Sequence, residues 1–290
     1  MTPVVIQGRL QQLWQALRGA PLAPLIFITI FVLSALLADF ITPYPPEKMS
    51  LSARLVPPFF VAGGSWNHIL GTDTLGRDLL SRMIVGGRVS LLVSLLAILL
   101  GGGIGTGIGL VAGYFGGRID AFLMRVTDAA LAFPMILIAL LLNVSLGAGF
   151  ATVTIAIALI IWARYARVIR GEVLSIRERD FIAQARIIGC SSARIILTHL
   201  LPNVTNTLLV LLTLQVGLVI LVEASLSFLG AGIPPPTPSW GSLVADGKDY
   251  FNSAWWISLF PGLAIVLTVL SFNILGDWIR DKLDPNLRQL

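Results

Sequence analysis

The side chains that most often carry out chemistry are few in this sequence, and they are scattered. His68 and His199 lie far apart, and neither belongs to a Cys or His cluster with the spacing of metal ligands. Cys190 is the only cysteine, so no disulfide can form within the chain. We find no Ser-His-Asp arrangement at a credible site and no pair of carboxylates on one face of an apolar segment. The sequence therefore predicts neither catalysis nor a metal site.

A glycine-rich stretch, GGGIGTGIGLVAGYFGG, invites a nucleotide-binding interpretation. It contains no G-x-x-x-x-G-K-[ST] phosphate loop and no strand precedes it, so any ATPase must be supplied by another polypeptide. Gly101, Gly105, Gly109 and Gly113 are spaced four apart and therefore share one helical face. Such a ridge of small residues lets membrane helices approach closely. We expect these glycines to serve helix packing.

Two polar side chains stand out because their surroundings are apolar. Asn143 and Glu223 each lie near one end of an apolar stretch. A carboxylate at membrane depth usually faces a cavity or a partner cation. We therefore predict that both residues line a translocation path. The alternative is an interfacial carboxylate that simply reaches water.

A charged stretch between the first two apolar segments has helical spacing. Thr72 or Asp73 can cap a helix that continues through Arg82. Within it, Asp73–Arg77 and Asp78–Arg82 are i, i+4 pairs that neutralise one another. We interpret this stretch as a solvated surface helix, with contact to a partner protein as the alternative.

The composition indicates which elements must position these residues. Hydrophobic residues make up 56% of the 290 residues, charged residues only 12%, and the mean hydropathy is +0.87, which is typical of a membrane protein. The net charge is +5, but the basic residues lie in the gaps between apolar runs and do not form a basic face with aromatic residues. We therefore expect no nucleic-acid partner. Six stretches are long enough to cross a bilayer. They are about Leu25–Thr42, Val89–Gly113, Ala129–Leu146, Ala151–Val168, Asn206–Val222 and Trp255–Ile274.

Positive charge predicts the orientation of these spans. The first stretch is long and lacks a clear A-x-A cleavage site, so we interpret it as a membrane anchor and not a signal peptide. With the N-terminus in the cytoplasm, most of the 20 Lys and Arg residues fall in cytoplasmic segments. Cytoplasmic loops are expected to carry this excess. Both termini of a multi-pass chain are therefore predicted to be cytoplasmic.

The longest cytoplasmic loop contains a broken amphipathic helix, ARIIGCSSARIILTHLLPN (185–203). Residues 181–188 read as a short helix, and Gly189 suits its C′ position because glycine accepts a left-handed backbone. Ser191 or Ser192 can cap the next helix, and Pro202 either ends that helix or begins the following span. The sequence predicts a helix-turn-helix on the inner face of the membrane. An ordinary amphipathic loop lying in the lipid interface is the alternative.

This loop resembles the "EAA" loop of ABC-importer permeases, in which E-A-A is followed by a glycine and then by I-x-L-P. The acidic first residue is absent here, Gln184 replaces an alanine, and His199 replaces the isoleucine. Ala183, Gln184 and Ala185 stand at the E-A-A positions. The spacing of Ala185, Gly189, Leu201 and Pro202 is intact.

Three further stretches are similar to one subgroup, the C-type permeases of dipeptide, oligopeptide and nickel importers. They are HILGTDTLGRDLLSR (68–82), SFLGAGIPPPTPSWG (227–241) and FPGLAIVLTVLSFNILGDWIRDKLDP (260–285), and the resemblance covers about residues 20–288. It implies an all-α, six-helix, type I ABC importer permease. The implied partners are a B-type permease, two cytoplasmic ATPase subunits, an external or lipid-anchored binding protein and the lipid bilayer. ATP and magnesium would bind only the ATPase subunits.

The implied function is import of short peptides across the bacterial inner membrane by alternating access. Nickel chelates, glutathione or another small polar solute are alternatives within this class. An ion-coupled secondary transporter is the alternative from another class, but we see neither the inverted repeats nor the several buried ionisable groups that it would need.

The resemblance also implies that the broken helix is the coupling helix, which would sit in a groove on an ATPase subunit. Ala183 and Ala185 would keep that contact close, and Gly189 would permit the turn. Arg186 and Arg194 would pair with acidic groups of the ATPase, or would only anchor the loop at the inner membrane face. The predicted division is 1–24, cytoplasmic; 25–88, first helix and outer loop; 89–276, permease core with a coupling loop at about 170–202; and 277–290, cytoplasmic tail.

Overall fold

A computed structural model of the protein describes residues 19–283, so most of the predicted segment 1–24 and the last part of the predicted tail lie outside the described residues. Regular structure within the described residues is helical, apart from one isolated antiparallel bridge between Thr72 and Asp78. The all-α class is confirmed. The helices are α1 Leu22–Leu36, α2 Ala38–Ile41, α3 Leu79–Phe115, α4 Gly117–Ala132, α5 Met135–Leu146, α6 Phe150–Arg177, α7 Asp180–Ile187, α8 Ser192–Phe228, α9 Trp240–Gly247 and α10 Trp256–Leu283. Single 3-10 turns cover Leu51–Ala53 and Lys248–Tyr250.

The membrane-crossing part does not divide into six simple spans. By length and composition, four of the described helices can cross a membrane: α3, α6, α8 and α10. Helices α4 and α5 reach that length only together, and they meet at a bend of 85°. Helix α1 has 15 residues, which at a rise of about 1.5 Å per residue span roughly 22 Å, less than a hydrocarbon core of about 30 Å. The predicted count of six uninterrupted spans is therefore not reproduced.

The third predicted span, Ala129–Leu146, is broken where the sequence predicted one helix. Helix α4 ends at Ala132, Phe133 is extended with φ −78° and ψ 134°, and α5 begins after Pro134. The proline ring clashes with a helical conformation of the residue before it, and proline has no N–H to donate. An apolar run therefore changes direction at Phe133.

Helices α3 and α6 form the centre of the fold and pack against each other along their length. Helices α8, α9 and α10 add a large apolar cluster around Ile157, Ile220 and Ile257. Large apolar side chains on the opposite faces, such as Leu99, Leu141 and Val266, are exposed. This inside-out pattern is expected of helices whose outer faces meet lipid.

The loop of residues 42–78, which we name the outer loop after its predicted side, contradicts the surface helix predicted from Thr72 or Asp73. Helix α3 begins only at Leu79, and its cap is Asp78, whose Oδ2 accepts hydrogen bonds from N and Oγ of Ser81 (both 2.8 Å). Thr72 instead bonds back to the loop, donating to the Ala53 carbonyl. The predicted helix start was wrong because the side chains that suit a cap are used to fold the loop on itself.

The four charged residues of the predicted i, i+4 pairs, Asp73, Arg77, Asp78 and Arg82, are also buried, not solvated. Asp73 Oδ2 accepts from Arg77 Nε at 2.6 Å, as the i, i+4 spacing predicted, and also from Arg82 Nη1 at 2.5 Å. Arg82 further contacts Asp246 on α9 at 3.3 Å. No Asp78–Arg82 ion pair forms among the described residues, because Asp78 Oδ1 pairs with His68 Nδ1 at 2.9 Å. The cluster ties the outer loop to the start of α3 and the end of α9.

Candidate functional site

The break between helices α7 and α8 is a Schellman turn at Gly189. Helix α7 ends at Ile187, and Gly189 has φ +86°, in the left-handed region. The amide of Cys190 donates to the Ala185 carbonyl and the amide of Gly189 donates to the Arg186 carbonyl, both at 3.0 Å. These two bonds satisfy carbonyls that the helix end leaves free. A Cβ on Gly189 would meet no atom within 4 Å, so only backbone conformation restricts this position.

Helix α8 begins immediately after the turn, and its first part is irregular. The Ser191 side chain caps it by accepting from the amide of Arg194. Residues Ile195–Leu200 form a π-helical segment directly before Pro202. Proline has no N–H to donate to the preceding turn, and π-helical turns occur mainly as short bulges inside longer helices. The span predicted to start near residue 206 is therefore continuous with the cytoplasmic loop.

Helix α7 has one face that packs on its own chain. Ile182 and Ala185, three residues apart, are buried in a cluster with Ile176 of α6 and with Ile195 and Leu200 of α8. Leu110 of α3 and Ile169, Val173 and Val204 complete the cluster. The buried face of α7 therefore packs against three long helices, α3, α6 and α8.

The opposite face of α7 is open. Ile187 and Ile188 are 85% and 80% exposed, and Ala183, Gln184 and Arg186 lie beside them. Ala183 and Ala185 therefore do not share a surface, because residues two apart on a helix point about 200° apart. Sequence reasoning placed both alanines in one contact and overlooked the two isoleucines. Helical spacing from Ile182 and Ala185 was the signal that could have separated the two faces.

The arginines near this loop differ in their surroundings. The guanidinium of Arg186 lies 5.3 Å from the centre of the Tyr114 ring, a cation–π contact at the inner end of α3. Arg177 Nη1 donates to the Gly113 carbonyl at 3.0 Å, so it satisfies a carbonyl near the same end of α3. Together with Phe115, Glu178 and Ser192, these side chains line a hollow of about 400 Å³.

The remaining predicted residues of the loop lie on α8. Arg194 is exposed on the first turn of α8. Leu201 is half-buried and Pro202 is exposed at the end of the loop.

Glu223 lies in a polar cluster that joins three helices at the outer side. Ser90 Oγ of α3 and Ser227 Oγ of α8 each donate to its carboxylate at 2.8 Å, and Ser239 Oγ, at the cap of α9, donates to Ser227 Oγ at 3.2 Å. Glu223 is fully buried, so in this conformation it does not line an open cavity. The sequence suggested that Glu223 either faces a cavity or reaches water, and the observed burial agrees with neither interpretation.

Asn143 lies elsewhere, on α5, which packs along α6. Its Oδ1 is buried and has no hydrogen-bond partner among the described residues. A buried amide oxygen without a partner is costly, so such an atom needs an explanation. The fold thus places the two predicted pathway residues on separate helices with different surroundings.

The four spaced glycines face α6 at backbone contact. A Cβ on Gly101 would lie 2.5 Å from the Ala158 carbonyl oxygen, one on Gly109 would lie 2.7 Å from that of Ala166, and one on Gly113 would lie 2.7 Å from Cβ of Val173. Gly105 is closer still, against the carbonyl oxygen of Trp162. Two other glycines of α3, Gly103 and Gly107, would meet nothing within 4 Å.

The fold and this geometry agree with what the chain is similar to. Residues 105–289 match the family described as binding-protein-dependent transport system inner membrane component, and residues 8–58 match the N-terminal TM domain of oligopeptide transport permease C. The chain belongs to this family of importer permeases. The resemblance stated from the motifs is confirmed. Such a permease is a multi-pass component of the inner membrane that works with a binding protein and with ATPase subunits.

Relatives and solved structures support the assignment over most of the chain. The di/tripeptide transport system permease protein DppC of Pseudomonas aeruginosa is 39% identical over 98% of this chain and 95% of its own. The dipeptide transport system permease protein DppC of Escherichia coli K12 is 41% identical, over 97% and 94%. In the inward-facing MetNI methionine ABC transporter, a chain at 17% identity has a TM-score of 0.60 and covers 71% of this chain and 98% of its own. The fold of an ABC importer permease is thereby confirmed.

Proposed function

We propose that this chain is the C-type half of a permease pair that imports short peptides. The dipeptide and di/tripeptide permeases that match almost its full length support the substrate class. A homologous B-type permease would complete the pair. ATP and magnesium would bind two cytoplasmic ATPase subunits, and an external binding protein would deliver the peptide. This chain would bind no cofactor and catalyse no reaction.

We further propose that both termini are cytoplasmic and that residues 89–276 form the transport core. The excess of Lys and Arg on one side of the spans supports this orientation. The outer loop contains arginines too, but Arg77 and Arg82 are buried against carboxylates and so add little net charge to the outer surface. Helix α7 and the start of α8 would then meet the cytoplasm.

The proposal rests on one observation: α7 has one face buried against its own chain and one exposed face. Its exposed side, with Ile187, Ile188 and Ala183, would enter a groove of the ATPase, while Arg186 and Arg194 would meet acidic groups around it. Its buried side holds α3, α6 and α8 through one apolar cluster. ATP-driven closure of the ATPase pair would therefore move the inner ends of these helices, and the cavity between the two permeases would change sides.

For the translocation path, Asn143 and Glu223 have different proposed roles. The Asn143 amide oxygen, buried and without a partner among the described residues, would meet a polar group of the peptide or of the partner permease. Glu223 would become accessible only when α3 and α9 move away from α8, because Ser90 of α3 and Ser239 at the cap of α9 complete its polar cluster. It would therefore hold the outer side closed before it contacts a cation.

The experiment is purification of the tagged chain with its co-expressed subunits, followed by ATP-driven uptake in proteoliposomes with the binding protein. Di- and tripeptides should be taken up, and nickel chelates and glutathione should not. Uptake by the chain alone, driven by an ion gradient, would contradict the proposal. Ile188→Glu should lose the ATPase subunits, whereas Leu51→Glu, at an exposed apolar position of the outer loop, should keep them.

A further inference from the structure

The outer loop exposes a compact group of aromatic side chains, which we name the aromatic tip: Phe59, Phe60 and Trp66. Their side chains are 38%, 57% and 76% exposed. The rings of Phe59 and Trp66 are 4.3 Å apart and those of Phe59 and Phe60 are 5.3 Å apart, measured between centroids. Single exposed apolar residues need no explanation, but a contiguous aromatic patch marks a contact surface.

The tip is held by a hydrogen-bonded scaffold. Val56 and Thr72 exchange two bonds of 2.9 Å, and the amide of Phe59 donates to the Ile69 carbonyl at 3.2 Å. At the base of the loop, Trp256 Nε1 of α10 donates to the Thr72 carbonyl at 3.1 Å. The loop therefore presents the aromatic rings from a defined position beside the start of α10.

That position is at the outer end of a membrane helix. The Phe60 ring lies 6.5 Å from the ring of Trp255, just before α10, and 6.4 Å from that of Phe260. Phe260 is one turn, about 6 Å, along α10 from Trp256. On the same helical face, three and seven residues further along, Leu263 and Leu267 are exposed. The aromatic tip is thus continuous with an apolar surface of a helix that crosses the membrane.

The chemistry of the segment selects lipid as the partner. Residues 55–67 contain no Asp, Glu, Lys, Arg or His, and the flanking charges begin at Arg54 and His68. Aromatic rings are favoured at the level of the lipid headgroups, and an uncharged backbone segment with apolar side chains enters that region at low cost. A surface for a water-soluble binding protein would be expected to carry a polar rim around its apolar centre.

We propose that the aromatic tip inserts into the outer interfacial layer of the membrane, so that the outer loop rests on lipid at the flank of α10. The loop is tied to the start of α3 and the end of α9 through Asp73, Arg82 and Asp246. Anchoring in lipid would hold these outer helix ends at a fixed depth. It would also keep the loop beside the helices and leave the surface above them free for the binding protein.

The test measures the depth of the tip in the assembled importer in lipid nanodiscs. Single cysteines replace Phe60 or Trp66 in a Cys190→Ser background whose assembly has been verified, and each carries a bimane fluorophore. Ser52→Cys, at an exposed polar position of the same loop, is the matched control. Quenching by lipids with a doxyl group near the headgroup is compared with quenching by iodide in water. The ratio of lipid to iodide quenching should be above one at the tip and below one at Ser52.

Two results would overturn the proposal. Strong iodide quenching at the tip, equal to that at Ser52, would place it in water. Protection from both quenchers would mean that a protein surface covers it. A second measurement keeps the aromatic side chains: the unsubstituted importer is irradiated with a photoreactive phospholipid, and the adducts are mapped by mass spectrometry. Adducts are expected within residues 55–67, and their absence there would also refute lipid contact.

Discussion

Backbone contact between α3 and α6 makes a sharp prediction at Gly105. In Gly105→Ala, the added Cβ would fall against the carbonyl oxygen of Trp162 and at 2.7 Å from Cβ of Tyr165. Real Cβ atoms do not approach a backbone oxygen so closely, so the two helices must separate. In Gly103→Ala, two residues earlier on the exposed side of the same helix, the Cβ would meet nothing within 4 Å.

The pair of variants isolates the packing contribution to stability. Replacing glycine by alanine in a helix stabilises it by up to about 1 kcal/mol, and this gain is common to both variants. Only Gly105→Ala also incurs the cost of an overpacked contact, about 1–3 kcal/mol. Because the common gain cancels, Gly105→Ala should be less stable than Gly103→Ala by about 1–3 kcal/mol. Gly105→Leu and Gly109→Leu should disrupt assembly altogether.

The assay is heating of the detergent-solubilised, fluorescently tagged importer, followed by size-exclusion chromatography of the surviving complex. The temperature at which half of the complex is lost should fall in Gly105→Ala and should stay unchanged or rise in Gly103→Ala. Equal midpoints for the two variants would refute the argument that α3 and α6 touch through this face. Normal assembly and uptake by both leucine variants would refute it as well.

Three further predictions follow from the site. Gly189→Val should insert normally but lose ATPase subunits or uptake, because the left-handed conformation costs a residue with a Cβ about 1–2 kcal/mol. Gly189→Asn should retain more of both, because asparagine tolerates this conformation better. Equal behaviour of the two variants would exclude a backbone cause. Glu223→Ala should lower the melting temperature of the complex more than Glu223→Gln does. Alanine leaves two buried serine hydroxyls without an acceptor, and each unsatisfied hydroxyl costs about 1–3 kcal/mol of stability. Equal melting temperatures would contradict the hydrogen-bonded role of Glu223. In intact cells lacking Cys190, a cysteine at the exposed Asp249 should react with an impermeant maleimide and one at the exposed Ser175 should not, and the reverse pattern would overturn the orientation.

Hydropathy located the long helices well but underestimated their lengths. The span predicted at Val89–Gly113 lies within α3, Leu79–Phe115, and the one predicted at Ala151–Val168 lies within α6, Phe150–Arg177. Hydropathy records only the part of a helix that lipid surrounds, whereas backbone hydrogen bonds continue beyond the membrane. The bend before Pro134 was missed because apolar side chains on both sides of it give one unbroken hydrophobic run.

Within the candidate site, local features were predictable and pairings were not. The turn at Gly189 and the cap by Ser191 depend on neighbours within a few residues, so spacing alone indicates them. The partners of Arg82 include Asp246, far along the chain, and Glu223 is held by Ser90 from another helix. No local pattern contains such contacts, so the burial of these charges could not be inferred.

The sequence by itself determined the membrane class, the glycine face of α3 and the break between α7 and α8, and the resemblance of its motifs indicated the permease family. The first three properties follow from composition, from the helical repeat and from short-range backbone geometry, which neighbouring residues specify. Only the tertiary structure decided which face of α7 is buried, that Glu223 is enclosed by serines, and that the outer loop folds around a buried cluster of ions. The physical reason is that burial depends on which helices meet, and that is settled by side-chain packing between segments that are distant in the chain.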